Sequence, residues 1–143
     1  MSFCPEMGRK TMVASGEHVR AVGWLHPQYP FPQGTVPAMV IERLREFTQR
    51  CGESTRALDW GSFGGLHNCE FCGHFYAVGN FGVPDGPVLF VAPEMVTHYV
   101  EQHKYVPPDE FILALKRSPL PGTDEYTDAV EMFRGRGNRD IIG

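Results

Sequence analysis

Two cysteines and two histidines fall within eight consecutive positions, His67-Asn68-Cys69-Glu70-Phe71-Cys72-Gly73-His74, in a chain with only four cysteines and six histidines. Thiolates three residues apart can aim both sulfurs at one point when the turn between them is tight, and a glycine after the second cysteine makes that turn easy. Cys72-Gly73 supplies it, so the C-x-x-C-G form reads as a zinc knuckle. A second pair of ligand-type side chains, His98 and His103, follows after twenty-five intervening residues. Zinc with two thiolates and two imidazoles wants a tetrahedron, and Cys69, Cys72, His98 and His103 are the residues expected to supply it, with His67 as a reserve ligand.

The histidine half is less regular than the cysteine half. Residues five apart on an α-helix differ by about 140° in direction. His103 lies four residues before Pro107, where the last turn can widen or unwind, and zinc fingers accept three to five residues between their histidines. A redox dithiol is the competing reading of the CxxC, but it needs the cysteines at a helix start, where the dipole lowers a thiol pKa. Here a glycine and a strand-like run follow. Four protein ligands would close the site and make the metal structural, whereas three would leave a position for substrate or water. Glu94, Glu101, Asp109 and Glu110 surround the histidine segment and could bond imidazole N–H groups, although a solvated acidic face has the same composition. No H-x-E occurs, and Asn68 rather than proline precedes Cys69, which argues against a zinc deaminase.

The elements that must position these residues can be read on either side of them. The first eighteen residues show no periodicity and read as a loosely ordered lead-in, with a strand over Val19 to Leu25. Three prolines and two aromatic residues between His26 and Gly34 suggest an ordered, packed loop, with a plain surface loop as the alternative. A helix begins after Thr35 with Pro37 in its first turn. Val40, Leu44, Phe47 and Cys51 line one face of it, and Gly52 is placed to end it. Cys51 then reads as a small buried hydrophobe. Leu58, Trp60 and Phe63 anchor a polar, then glycine-rich segment leading to the knuckle. Phe75 to Val78 and Val88 to Val91 read as the strands of a hairpin with a long Gly/Pro loop. Pro93 opens the histidine helix, which Val106-Pro107-Pro108 stops. Further helices are expected over Asp109 to Lys116 and Asp124 to Arg134, the latter capped by Thr123. The expectation is a small zinc-stabilised α+β domain over residues 19–134. A loosely ordered segment, residues 1–18, precedes it and a flexible tail, residues 135–143, follows.

Bulk composition narrows the function classes. The 143 residues are enough for one ordinary domain, and 42% hydrophobic with 21% charged is an ordinary globular balance. A formal charge of −4 is the wrong sign for phosphate contacts, which disfavours nucleic acid as a partner. No apolar run approaches a membrane span, and the N-terminal residues lack the apolar region of a secretory signal, so a cytoplasmic, reducing compartment is expected. No phosphate-loop, dinucleotide or nucleophile-elbow motif is present. A protein-interaction or accessory module, of inhibitor or immunity-like type, is the favoured reading. The alternative is a metalloenzyme of hydrolytic or lyase chemistry whose open metal position faces a cleft between Pro27–Pro32 and Trp60–Gly65.

Several segments together resemble a known pattern: Gly23-Trp24-Leu25, Pro30-Phe31-Pro32, Gly65 to Cys72, Val91-Ala92-Pro93, His98-Tyr99 and His103 to Phe111. The chain is similar, from about Val22 to Leu115, to a family of small, uncharacterised bacterial proteins. That family carries G-x-H-x-C-x-x-C followed by A-P-x-x-x-x-H-Y-x-x-x-H-x-Y-x-P-P-x-x-F. The resemblance implies that His67, Cys69, Cys72, His98 and His103 belong to one unit. It implies no activity.

Overall fold

A computed structural model describes residues 3–61 and 67–135. The expected Phe63 anchor and the tail beyond Gly135 lie outside the described residues. The chain forms β1 (Val19–Ala21), α1 (Ala38–Thr48), α2 (Cys51–Leu58), β2 (His67–Asn68), β3 (Tyr76–Ala77), β4 (Asn80–Asp85), β5 (Val88–Pro93), α3 (Met95–His103), α4 (Asp109–Arg117) and α5 (Asp124–Val130), with a 3₁₀ turn over Glu131–Phe133. The fold is α+β. One sheet has the order β1-β5-β4, with β1 parallel and β4 antiparallel to β5; β2 and β3 form a separate antiparallel ribbon. No described helix is long and apolar enough to cross a membrane.

The expected stripe of α1 is buried: Val40, Leu44 and Phe47 are all fully covered. Its expected end at Gly52 is not observed. α1 stops at Thr48, and Gly52 lies in the first turn of α2, whose left-handed stop is Asp59 at φ 55°. The polar run after Cys51 is helical because its inward face is Cys51, Ser54 and Leu58, at spacings of three and four. A buried serine on that face hides the period from a reading based on hydrophobic residues alone.

The hairpin also differs from expectation. β4 and β5 pair in full register from Asn80↔Pro93 to Asp85↔Val88, so only Gly86 and Pro87 form the turn, with Gly86 at φ 60°. Gly82 and Pro84, typical loop residues, belong to a strand here. A Cβ on Gly82 would stand 2.8 Å from Leu58 Cδ1 and 2.9 Å from Leu89 Cδ1, so packing demands glycine. Pro84 is tolerated because β4 is the outer strand of its sheet. The Phe75–Val78 run instead contains β3, which pairs with β2.

The outer edge of β4 is closed by hydroxyl groups. Gly82 N–H donates to Ser54 Oγ at 2.9 Å, Tyr126 O–H donates to the Gly82 carbonyl at 2.7 Å, and the two hydroxyl oxygens lie 2.7 Å apart. Tyr126 is fully buried. Tyr126→Phe removes a bond from a buried carbonyl, and is expected to cost about 1–3 kcal/mol in chemical denaturation. A loss within error of zero would mean that Gly82 finds another donor.

Residues 3–18 are packed against the sheet rather than loosely ordered. Met7 N–H donates to the Ala21 carbonyl at 2.6 Å and Ala21 N–H to the Gly8 carbonyl at 2.8 Å, along the outer edge of β1. Val13 and Ala14 are buried, and Thr11 Oγ1 accepts from the backbone N–H groups of both. The Glu6 carboxylate accepts from Gly23 N–H at 3.0 Å and from the Tyr105 hydroxyl. Backbone pairing and side-chain turns hold this segment, and neither produces a hydrophobic period.

Candidate metal centre

The C-x-x-C turn is the connection of the β2–β3 ribbon. His67 pairs with Ala77 and Asn68 with Tyr76, and the chain between them closes with Cys69 N–H to the Phe75 carbonyl at 2.9 Å. Within it, Gly73 N–H donates to the Cys69 carbonyl at 2.7 Å, and Gly73 takes a left-handed φ of 70° that a side chain would resist. The turn also points the N–H groups of Cys72 and Phe71 at the Cys69 sulfur.

The histidines come from the last two turns of α3. Lys104 has a left-handed φ of 59°, and its N–H donates to the Tyr99 carbonyl, five residues back rather than four. A turn closed over five residues is wider than an α-turn, so side chains five apart face more nearly the same way. The spacing expected to need a widened turn has one. Behind it, Gly34 N–H donates to the Lys104 carbonyl and Val106 N–H to the Pro32 carbonyl, which anchors the proline-rich loop to the end of α3. Phe31 of that loop packs inward, half-buried and edge-on to Phe71 with centroids 5.4 Å apart, but Pro27 to Pro30 and Pro32 to Gly34 are exposed, so most of the loop is surface.

The sulfur and nitrogen atoms of Cys69, Cys72, His98 and His103 all lie within 4.8 Å of one another. Cys69 Sγ is 3.4 Å from His103 Nε2, Cys72 Sγ is 3.5 Å from His98 Nε2, and the two Nε2 atoms are 3.2 Å apart. A zinc tetrahedron with ordinary bond lengths has edges of about 3.6 Å between sulfur and nitrogen and about 3.3 Å between nitrogens. The three separations are those of such a tetrahedron to within a few tenths of an ångström, so this group could hold a metal ion. Among the described residues it is the one cluster of three or more ligand-type side chains with that property. His67 is not in it. Its ring belongs to a β2 residue, and burial lowers its pKa.

The electrostatics suit metal binding. Burial, and for His98 also the neighbouring His103, lowers both imidazole pKa values, which leaves their nitrogen lone pairs free at neutral pH. Burial raises the Cys69 thiol pKa, opposed by the N–H groups of Cys72 and Phe71. A cation supplies the charge that would favour both thiolates. Aromatic rings fix the imidazoles: Phe75 stacks on His98 at 4.3 Å and 7°, and Phe71 lies 5.2 Å from the His103 ring. The sequence signal for these two phenylalanines is their place inside and just after the knuckle. Two of the expected carboxylate partners have other hydrogen bonds, although the Glu101 charge still opposes the lowering of the His98 pKa. Arg45 holds Glu101 with bonds of 3.1 and 2.8 Å, and Glu94 accepts from Gly79 N–H.

A cavity of about 650 Å³ opens beside the cluster, with Cys72, His98 and His103 in its wall and Thr48, Phe75 and Glu101 around it. It lies on α3, the knuckle and the end of α1. Residues 62–65 of the cleft expected between the proline-rich loop and Trp60–Gly65 lie outside the described residues.

A family model described as a domain of unknown function (DUF7919) matches residues 3–116, all four cluster residues included. The chain belongs to this family. The matched span includes the N-terminal segment that packs on β1 and ends at α4, before α5. No curated protein and no solved structure matches the chain.

Proposed function

We propose that the chain is a zinc protein with a closed, structural Cys2His2 centre, serving as an accessory or interaction module for another protein. An inhibitor or immunity-like role falls within that class. The observation that carries the metal reading is the agreement of three independent ligand separations with tetrahedron edges. Two thiolates donate charge to zinc and weaken it as a Lewis acid, which favours a structural role. The interaction reading draws on Tyr76 in β3 and Val78 just after it, apolar side chains 55% and 56% exposed beside the knuckle. A formal charge of −4 supports a protein rather than a nucleic acid as the partner. Cytoplasmic location is part of this reading, since a reducing compartment keeps the thiols available.

The enzymatic alternative, hydrolytic or lyase chemistry at an open metal position, has one observation in its favour: three of the four ligand residues line a cavity. Metal analysis of the purified protein, with cobalt(II) absorption after exchange, separates the two. The expected result is about one metal per chain with the spectrum of a four-coordinate, two-thiolate ion. A bound water in the coordination sphere would turn the reading towards the enzyme, and absence of any metal after reconstitution would end both.

A further inference from the structure

The two sulfurs of the cluster differ in what can reach them. Cys69 is fully buried, and the N–H groups of Cys72 and Phe71 donate to its sulfur, which spreads its charge and weakens it as a nucleophile. Cys72 is half-buried and lines the 650 Å³ cavity. A small solute entering that cavity meets the Cys72 sulfur first. The Cys69 sulfur stands within 4.8 Å behind it, on a turn closed by the 2.7 Å bond from Gly73 N–H to the Cys69 carbonyl. A sulfur open to solutes with a second one in reach is the arrangement of a redox-responsive pair.

We propose that Cys72 is an oxidation site for small hydroperoxides, with Cys69 as the resolving group, and that the reaction releases the metal. This rests on the metal reading above. In the first step the Cys72 thiolate attacks one peroxide oxygen. The S–O bond forms, the O–O bond breaks, and hydroxide or alkoxide leaves and takes a proton from water. Sulfur is oxidised by two electrons and the peroxide is reduced. In the second step the Cys69 thiolate displaces hydroxide from the Cys72 sulfenic sulfur, forming the S–S bond as the S–O bond breaks. The disulfide has no thiolate charge to donate, so two imidazoles remain and the metal leaves. A dithiol reductant reverses the oxidation by exchange and restores both ligands.

The chain carries its own controls. Cys4 and Cys51 are buried, and burial, with the Glu94 and Glu53 carboxylates nearby, pushes the Cys51 thiol up to about 12. Both should stay reduced while the cluster reacts.

The experiment uses the full, zinc-loaded chain titrated with hydrogen peroxide in the presence of a chelating dye. The expected result is about one zinc released per peroxide consumed, a mass loss of about 2 Da confined to the peptide holding Cys69 and Cys72, and recovery of zinc binding after dithiothreitol. Brief iodoacetamide labelling, limited to one hit per chain, should mark Cys72 on the order of ten-fold more than Cys69. Zinc retained while Cys4 or Cys51 oxidises, or labelling that begins at Cys69, overturns the proposal. A chain that binds no zinc at the outset fails the metal reading itself, whereas one that binds zinc and holds it through the titration fails only this inference.

Discussion

Stripping the metal with a strong chelator is expected to lower the melting temperature by roughly ten degrees or more, and Cys69→Ser is expected to do the same while abolishing zinc binding. A metal held at about a thousand times its dissociation constant adds about 4 kcal/mol to the stability of the folded state alone. For a domain of this size that is a large displacement of the melting point. The part of the molecule that depends on it is identifiable. The β2–β3 ribbon has two residues in each strand, far fewer than an isolated ribbon needs to persist in water, so cross-linking the knuckle to α3 is what would hold it. Amide exchange in the metal-free protein should therefore rise first over residues 67–78 and at the end of α3, while α1 and the β4–β5 pair stay protected. Cys69 is the telling substitution because it is the deepest of the four cluster residues. If the serine variant kept full zinc content and an unchanged midpoint, the constellation as drawn would be wrong.

Gly23→Ala should be nearly as damaging, although residue 23 touches no ligand. Gly23 follows β1 with φ at 79°, a region that costs a residue with a side chain about 1–2 kcal/mol. A Cβ there would also stand 2.6 Å from Val96 Cγ2 and 3.1 Å from Val96 Cβ. Valine on a helix has one strongly preferred rotamer, so relief must come from moving α3, at a further cost of about 1–3 kcal/mol. The expected total is about 2–5 kcal/mol in denaturant unfolding. Val96 is two residues from His98, so a displaced α3 should weaken any metal binding by the cluster as well as stability. Gly52→Ala is the matched control: a Cβ there meets nothing within 4 Å, and the residue is helical, so a gain of roughly 0.5 kcal/mol is expected. Equal effects at the two positions would remove the packing argument.

The sequence was most legible where a local rule governs the chain. The stripe of α1, the acidic start of α4 and the Thr123 cap of α5, which accepts from Tyr126 N–H at 3.2 Å, all follow from spacing or end chemistry within a few residues, whereas Pro93, expected to open α3, is the last residue of β5 and pairs with Asn80. It was least legible where a residue's conformation answers to something distant. Gly82 looks like a loop glycine until Leu58 and Leu89 close on it, and Gly52 looks like a helix stop until Ser54 is seen to be buried. Glu6 meets Tyr105 across 99 positions of the chain, and such a contact leaves no period in either segment.

The candidate site divides the same way. Residue types and intervals alone determined that two thiolates on a tight turn and two imidazoles on a helix were available, because ligand chemistry and turn geometry are properties of short segments. Only the tertiary structure decided that they converge, that Cys69 lies against His103 and Cys72 against His98, and that one sulfur is sealed while the other faces a cavity. Those outcomes depend on how the ribbon is laid against α3, on the wide turn at Lys104 and on the Phe31 loop behind it. Each of these is settled by packing between segments that lie far apart along the chain.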